Sequence, residues 1–103
     1  MLQVLLDNLP RGSGIDDRWN YDISSTSIRL YNGFHCMDEN GFYDDWANFV
    51  LIVPKNALLR GEHVVISNSF KLQFLGQRSQ YLATRYNLRN YLEDIFAEFF
   101  RGL

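Results

Sequence analysis

The sequence predicts an α+β fold in which an antiparallel sheet of about five or six strands packs on one long C-terminal helix. The run from Ser27 to Val53 is rich in β-forming residues and contains Asn40-Gly41, the strongest short-range signal for a β-hairpin. Elsewhere within residues 2–75, apolar and polar residues alternate with the period of two that is typical of strands. From about residue 78 to residue 101, apolar residues recur every three or four positions without glycine or proline, which predicts a helix.

Length and composition indicate a single folded domain spanning residues 1–103. The chain has 103 residues, of which 16% are aromatic and 21% charged, and this composition excludes an intrinsically disordered protein. Its single cysteine, Cys36, cannot form an intramolecular disulfide, so we expect a reducing, cytoplasmic location. The opening segment MLQVLLDNLP has neither a basic region nor the length of a signal peptide or membrane span, so no membrane association is expected.

A two-residue loop at Asn40-Gly41 fixes the register of the hairpin and divides its side chains between two faces. The apolar face, which is the predicted core, carries Ile28, Leu30, Asn32, Phe34 and Cys36 opposite Val53, Leu51, Phe49, Ala47 and Asp45. The mixed face carries Arg29, Tyr31, Gly33, His35 and Met37 opposite Ile52, Val50, Asn48, Trp46 and Asp44. A four-residue loop over residues 38–41 would shift the pairs but keep these faces, whereas a three-residue loop would change them.

The remaining strands are predicted from shorter patterns. A first strand is predicted because Leu2, Val4 and Leu6 alternate with Gln3, Leu5 and Asp7. A second is predicted from the alternation of Trp19, Tyr21 and Ile23 with polar residues. The runs 64–66 and 70–74 predict two more strands, or one long strand with a bulge.

The C-terminal helix should cover the apolar face of the hairpin with its own apolar side. That side consists of Tyr81, Leu88, Leu92, Ile95, Phe96 and Phe99. Arg85 falls inside the apolar arc, and an arginine there needs an anion or a route to solvent. We therefore predict that Arg85 meets Asp45, the acid on the otherwise apolar hairpin face.

The mixed face is the candidate contact surface, because tryptophan, tyrosine and arginine dominate the energetics of protein interfaces. The predicted partner-binding residues are Tyr31, His35, Asp44, Trp46, Asp16 and Asp17. The two aspartates at residues 16 and 17 belong to an acidic half, since residues 7–45 contain eight acids and three arginines. The alternative is that a neighbouring segment of the chain simply covers this face.

Catalytic and cofactor signals are weak. His35 and Cys36 are adjacent and should point to opposite faces of a strand, which argues against a dyad. The sequence has no zinc-ligand spacing and no phosphate-loop motif, so no cofactor is expected. The acids Asp16, Asp17, Asp38, Glu39, Asp44 and Asp45 could hold Mg²⁺ in a metal-dependent nuclease, although acids also crowd turns for simple structural reasons. A surface for single-stranded nucleic acid is an alternative, because basic residues of the C-terminal half are interleaved with Tyr81 and Tyr86. These basic residues are Lys71, Arg78, Arg85 and Arg89.

The chain contains several distinctive local motifs, namely Leu9-Pro10-x-Gly12-Ser13-Gly14-Ile15-Asp16 followed by Trp19, Asn32-Gly33-Phe34-His35-x-Met37, Asn40-Gly41-Phe42-Tyr43 and Asn48-Phe49. With these motifs the chain resembles small, uncharacterised accessory proteins of phages and conjugative mobile elements. The resemblance covers most of the chain and carries over no functional residue. It implies a context in which small proteins often bind and disable a host protein.

These observations favour a non-enzymatic protein-binding module, for example an inhibitor of a host defence protein such as a CRISPR or restriction nuclease. A nucleic-acid-binding accessory protein is the alternative, and a metal-dependent nuclease is the third hypothesis. We also expect a possible homodimer, formed through the mixed face or a free strand edge.

Overall fold

The computed structural model describes residues 2–41, 44–55 and 70–101, and within them it is an α+β structure. The elements are helix α1 (Leu2–Asn8), strands β1 (Asn20–Ile23), β2 (Ser27–Met37), β3 (Asp44–Pro54) and β4 (Lys71–Phe74), and helices α2 (Gly76–Arg85) and α3 (Leu88–Arg101). The predicted strand at residues 64–66 lies outside the described residues.

The described strands form one antiparallel sheet in the order β1-β2-β3-β4. It has four strands, so the expected count of five or six is corrected. The hairpin register is confirmed, because Ile28 pairs with Val53 at one end of the β2–β3 ladder and Met37 pairs with Asp44 at the other. The two predicted faces therefore exist as described, and the predicted 70–74 strand appears as β4 beside β3.

The tip of the hairpin differs from the predicted Asn40-Gly41 turn. The Gly41 N–H donates to the carbonyl of Asp38 at 3.0 Å, and the Asn40 N–H donates to the Asp38 carboxylate at 3.1 Å. Only Gly41 of the two has a positive φ, +73°, whereas a type I′ turn needs positive φ at both. The β-turn thus starts at Asp38, and the strands still keep the predicted register.

The N-terminal segment is a helix, and the predicted first strand is wrong. Leu2, Leu5, Leu6 and Leu9 follow helical spacing, and all four are packed in or against the core. Val4, which the alternation placed with Leu2 and Leu6, is 57% exposed. In so short a run, the apolar residues fit both the strand period and the helical period. The helix is favoured because it buries the leucines on one side.

The edge of the sheet beside β2 is interrupted by a bulge. The Gly14 carbonyl accepts from the His35 N–H, and the Asp16 N–H donates to the Gly33 carbonyl at 3.0 Å. Further along, Asn20 pairs with Tyr31. Three residues therefore lie between Asp16 and Asn20, while only one lies between their partners on β2. The edge segment thus holds two residues more than β2 over this stretch, as in a β-bulge.

Asn32 and Trp19 hold this bulge in place. The Asn32 amide donates to the Asp16 carbonyl at 2.8 Å and accepts from the Gly33 N–H at 2.7 Å, and its side chain is buried. The bulge turns the Trp19 indole toward the core, where its ring lies 5.8 Å from Phe49 and 5.9 Å from Phe96. The predicted second strand therefore begins only at Asn20, and Trp19 packs apart from it.

The C-terminal region forms two helices, not the single predicted one. The first ends where the N–H of Tyr86 bonds to the Leu82 carbonyl and the N–H of Asn87 bonds to Thr84, and Asn87 has a φ of +53°. Asparagine tolerates this left-handed conformation better than most residues, so the chain can turn here. The predicted coverage is confirmed, because α3 contributes Leu92, Phe96 and Phe100 to the same core cluster as the apolar hairpin face.

Helix α2 lies along β3 where β4 no longer covers it. The Ser79 hydroxyl is buried and accepts from the Asn48 N–H at 2.8 Å, which satisfies a backbone donor at the strand edge.

Asp45 pairs with Arg78, and the Arg78 Nε lies 2.7 Å from the Asp45 Oδ2. The sequence assigned this role to Arg85, but α2 starts two residues before Arg78 and brings that side chain to the hairpin. Arg85 instead donates to the Tyr81 hydroxyl at 3.3 Å.

Replacing Asn32 with alanine should destabilise the fold by about 1–3 kcal/mol, because the Asp16 carbonyl and the Gly33 N–H would lose a buried partner. Urea unfolding of wild type and N32A measures this loss. The exposed Asn90 supplies the control, since N90A should change the free energy of unfolding by less than about 0.5 kcal/mol. Equal effects of the two substitutions would contradict the role of Asn32 at the bulge.

Candidate binding surface

The mixed face extends across all four strands. By the observed register, it carries Asn20 and Asp22 of β1, Arg29, Tyr31, Gly33, His35 and Met37 of β2, Asp44, Trp46, Asn48, Val50 and Ile52 of β3, and Lys71 and Gln73 of β4. The buried apolar residues of the three described helices join the core cluster that includes the apolar face. Aromatic and charged side chains thus share the other side of the sheet.

Trp46 is the most prominent side chain of this face. It is 42% exposed, yet its position is constrained on two sides. Its indole packs against the His35 ring across the strand pair, with centroids 4.9 Å apart. A Cβ on Gly33 would lie 3.2 Å from the Trp46 ring and 3.1 Å from Asn48 Oδ1, so the glycine lets the indole lie close to the β2 backbone.

His35 is oriented by Asp44, whose carboxylate bonds to the imidazole Nε2. A histidine paired with a carboxylate can act as a general base, but it needs a nucleophile or bound water in reach. Cys36 cannot serve, because it faces the core and is 2% exposed, and burial raises the pKa of its thiol. The placement of His35 and Cys36 on opposite faces is as predicted, and the His35–Asp44 pair acts here to hold the ring beneath Trp46.

An open groove crosses the mixed face beside Trp46. It has a volume of about 900 Å³, and Gly33, which has no side chain, lies between Tyr31 and Trp46 along it. The described residues that line it are Asp16, Arg18, Asn20, Tyr31, Asn32, Gly33, Trp46, Asn48, Phe49 and Leu75. The bulge supplies the charged rim, because it carries Asp16 and Arg18 over the edge of β2.

Asp16 is ionised at neutral pH. Its carboxylate accepts from the Arg18 N–H at 3.0 Å, and this backbone hydrogen bond, aided by the Arg18 guanidinium at 3.5 Å, lowers the pKa of Asp16 below its usual value. The Arg18 side chain is 87% exposed, so this ion pair is largely surrounded by water. This part of the groove lining therefore carries an ionised carboxylate beside a guanidinium that is mostly in water.

Of the six predicted binding residues, Tyr31, Trp46 and Asp16 line this one groove. His35 and Asp44 lie behind Trp46 and support it, while Asp17 is exposed on the bulge outside the lining. Gly33 and Asn48 also line the groove, although they are not among the predicted binding residues. A glycine inside a strand signals a close approach of another group, so Gly33 could have been found from its position. Asn48 lines the groove because of where Trp46 lies, and no local sequence pattern indicates this.

The magnesium hypothesis gains no support from the described residues. No three histidine, cysteine, aspartate or glutamate side chains converge on a possible ion position in these parts of the chain. The carboxylates instead pair with separate partners, since Asp44 bonds to His35 and Asp45 pairs with Arg78.

The arginines considered for nucleic-acid binding make contacts within the protein. Arg78 pairs with Asp45, and Arg85 bonds to Tyr81. Arg89 donates to the Leu72 carbonyl at 2.8 Å, on strand β4. These contacts give the three side chains structural roles, which weakens the case for an arginine-rich strand-binding surface.

The chain matches no protein-family model, no curated protein and no solved structure. Among the described helices, none has the length and apolar character needed to cross a bilayer. The function of the candidate surface must therefore be inferred from its geometry.

Cys36 should be almost inert toward a thiol reagent in the folded protein. Burial and the nearby Asp45 charge raise its pKa, so less thiolate is present at pH 8, and the side chain is inaccessible. Labelling with Ellman's reagent should be slow in buffer and fast in concentrated urea. Equal rates in the two conditions would contradict the core position of Cys36.

Proposed function

We propose that this chain is a non-enzymatic protein-binding module whose contact surface is the mixed face around Trp46. The observation that supports this most directly is an exposed indole held between His35 and the Gly33 backbone. Large aromatic residues contribute most strongly to protein interfaces. A side chain already fixed in place loses little conformational entropy when a partner binds, which favours affinity.

Acids outnumber cations near the groove and the hairpin tip, where Arg18 is the cation of the described lining, and this excess favours a basic partner. Asp16, Asp17 and Asp44 lie at or near the groove, and Asp38 and Glu39 follow at the tip of the same hairpin. Complementary charge speeds the encounter of two proteins and excludes wrong partners. A protein that exposes a basic, nucleic-acid-binding surface would fit this arrangement.

The resemblance to accessory proteins of mobile elements suggests which basic protein this is. In our proposal, the chain inhibits a host defence protein such as a CRISPR or restriction nuclease by occupying the surface that binds nucleic acid. The acidic rim would replace the phosphates, and Trp46 would anchor the complex.

A pull-down from host lysate with wild type, Trp46→Ala and Tyr81→Ala tests the proposal. Tyr81 is an equally exposed aromatic residue, but it lies on α2, away from the groove lining. We expect a specific protein to be captured by wild type and Y81A, and to bind W46A at least about tenfold more weakly, as for an interface hot spot. Circular dichroism checks that W46A is folded.

Two results would overturn the proposal. One is a captured protein whose affinity is unchanged by W46A, since the contact surface would then lie elsewhere. The other is the absence of any protein retained by wild type from a lysate in which the host defence proteins are expressed.

A further inference from the structure

We propose that the groove between Tyr31 and Trp46 receives an arginine side chain of the protein partner. This inference rests on the proposed function and names the chemistry that the groove recognises. The aromatic side chains, the hydrogen-bond acceptors and the charged residues of the groove each favour arginine.

The walls suit a planar cation. Trp46 and Tyr31 present aromatic rings on either side of Gly33, and both line the groove. A guanidinium group is flat, weakly hydrated and attracted to the face of an aromatic ring. Because Gly33 has no Cβ, the Trp46 indole lies close to the β2 backbone, and its exposed ring surface is held in place for a flat group to stack on.

The polar groups of the groove include the acceptors that a guanidinium requires. Arginine has five N–H donors and no acceptor. Asn48 Oδ1 lies 3.1 Å from where a Cβ of Gly33 would be, and Asn20 and Asp16 also line the groove. An ionised carboxylate with a planar donor gives the strongest type of hydrogen bond at such a site.

Arg18 is the only cationic residue among the described lining, and it does not block the site. Its guanidinium lies 3.5 Å from Asp16 with most of its surface in water, and an exposed pair of this kind contributes little free energy. An incoming arginine that is also stacked on Trp46 can therefore displace it or share the carboxylate.

Other occupants fit the groove less well. An apolar side chain would remove Asp16 and Asn48 from water without replacing their hydrogen bonds. A nucleotide would bring its phosphate toward the Asp16 and Asp44 carboxylates. Lysine carries its charge on a compact ammonium group and lacks the flat surface that stacks on an indole.

Titration with a capped Gly-Arg-Gly peptide, followed by NMR, tests this assignment on the full chain. We expect saturable shifts of the Trp46 indole N–H and of the Gly33 and Asn48 amides. The same peptide with citrulline, which keeps the shape but loses the charge, should bind at least about fivefold more weakly, as expected from loss of a cation–π contact and an ion pair. The lysine peptide should also bind more weakly.

Two substitutions and a matched control locate the site. Asp16→Asn keeps the acceptor for the Arg18 N–H but removes the charge, and Gly33→Ala places a methyl group against Trp46. Both should weaken binding of the arginine peptide about tenfold, the first because a charged hydrogen-bond partner is lost and the second because the Trp46 indole is displaced. Asp17→Asn removes a neighbouring exposed acid that does not line the groove and should change the affinity less than about twofold.

Equal binding of the arginine and citrulline peptides would overturn the inference. So would an equal effect of D16N and D17N, or a single-stranded oligonucleotide that shifts the same resonances while the peptide does not. A lysate partner that depends on Trp46 while the arginine peptide leaves the groove resonances unchanged would remove this inference alone. Peptide binding without any Trp46-dependent protein partner would instead remove the proposed function.

Discussion

The register of the β2–β3 ladder decides which side chains of the sheet are buried and which face away from the core. Eleven successive residue pairs fix it, from Ser27–Pro54 to Met37–Asp44. Because side chains alternate along a strand, a slip of one residue would turn Phe49 outward and Trp46 into the core. The same register that buries one face thus creates the exposed aromatic surface on the other, and the fold and the candidate site are two consequences of one pairing.

The stability of this arrangement comes from covering the apolar face. Phe49, Phe96 and Phe100 have no exposed surface, and burial of each such side chain stabilises the fold by about 1.5–3 kcal/mol. Trp19 joins them only because the edge of the sheet is bulged between Asp16 and Asn20. One irregularity therefore serves both sides of the sheet, since it inserts an indole into the core and raises Asp16 to the rim of the groove.

The hairpin could be predicted from the sequence because its signals are local and repeated over many residues. The first helix could not, since a leucine-rich run as short as 2–8 satisfies both periods, and tertiary burial decides between them. The helix break at Asn87 was hidden because the apolar spacing continues across it. The pairing of Asp45 with Arg78 depends on where α2 begins, and the groove depends on contacts between Gly33 and Trp46 that no sequence period encodes.

The close approach of the Trp46 indole to the Gly33 backbone both fixes the exposed aromatic side chain and shapes the groove. A two-dimensional NOE spectrum measures this approach. We expect a strong upfield ring-current shift of a Gly33 Hα proton and NOEs from that proton to the indole ring, both lost in Trp46→Leu. A Gly33 Hα with an ordinary strand shift and no NOE to the indole would contradict it.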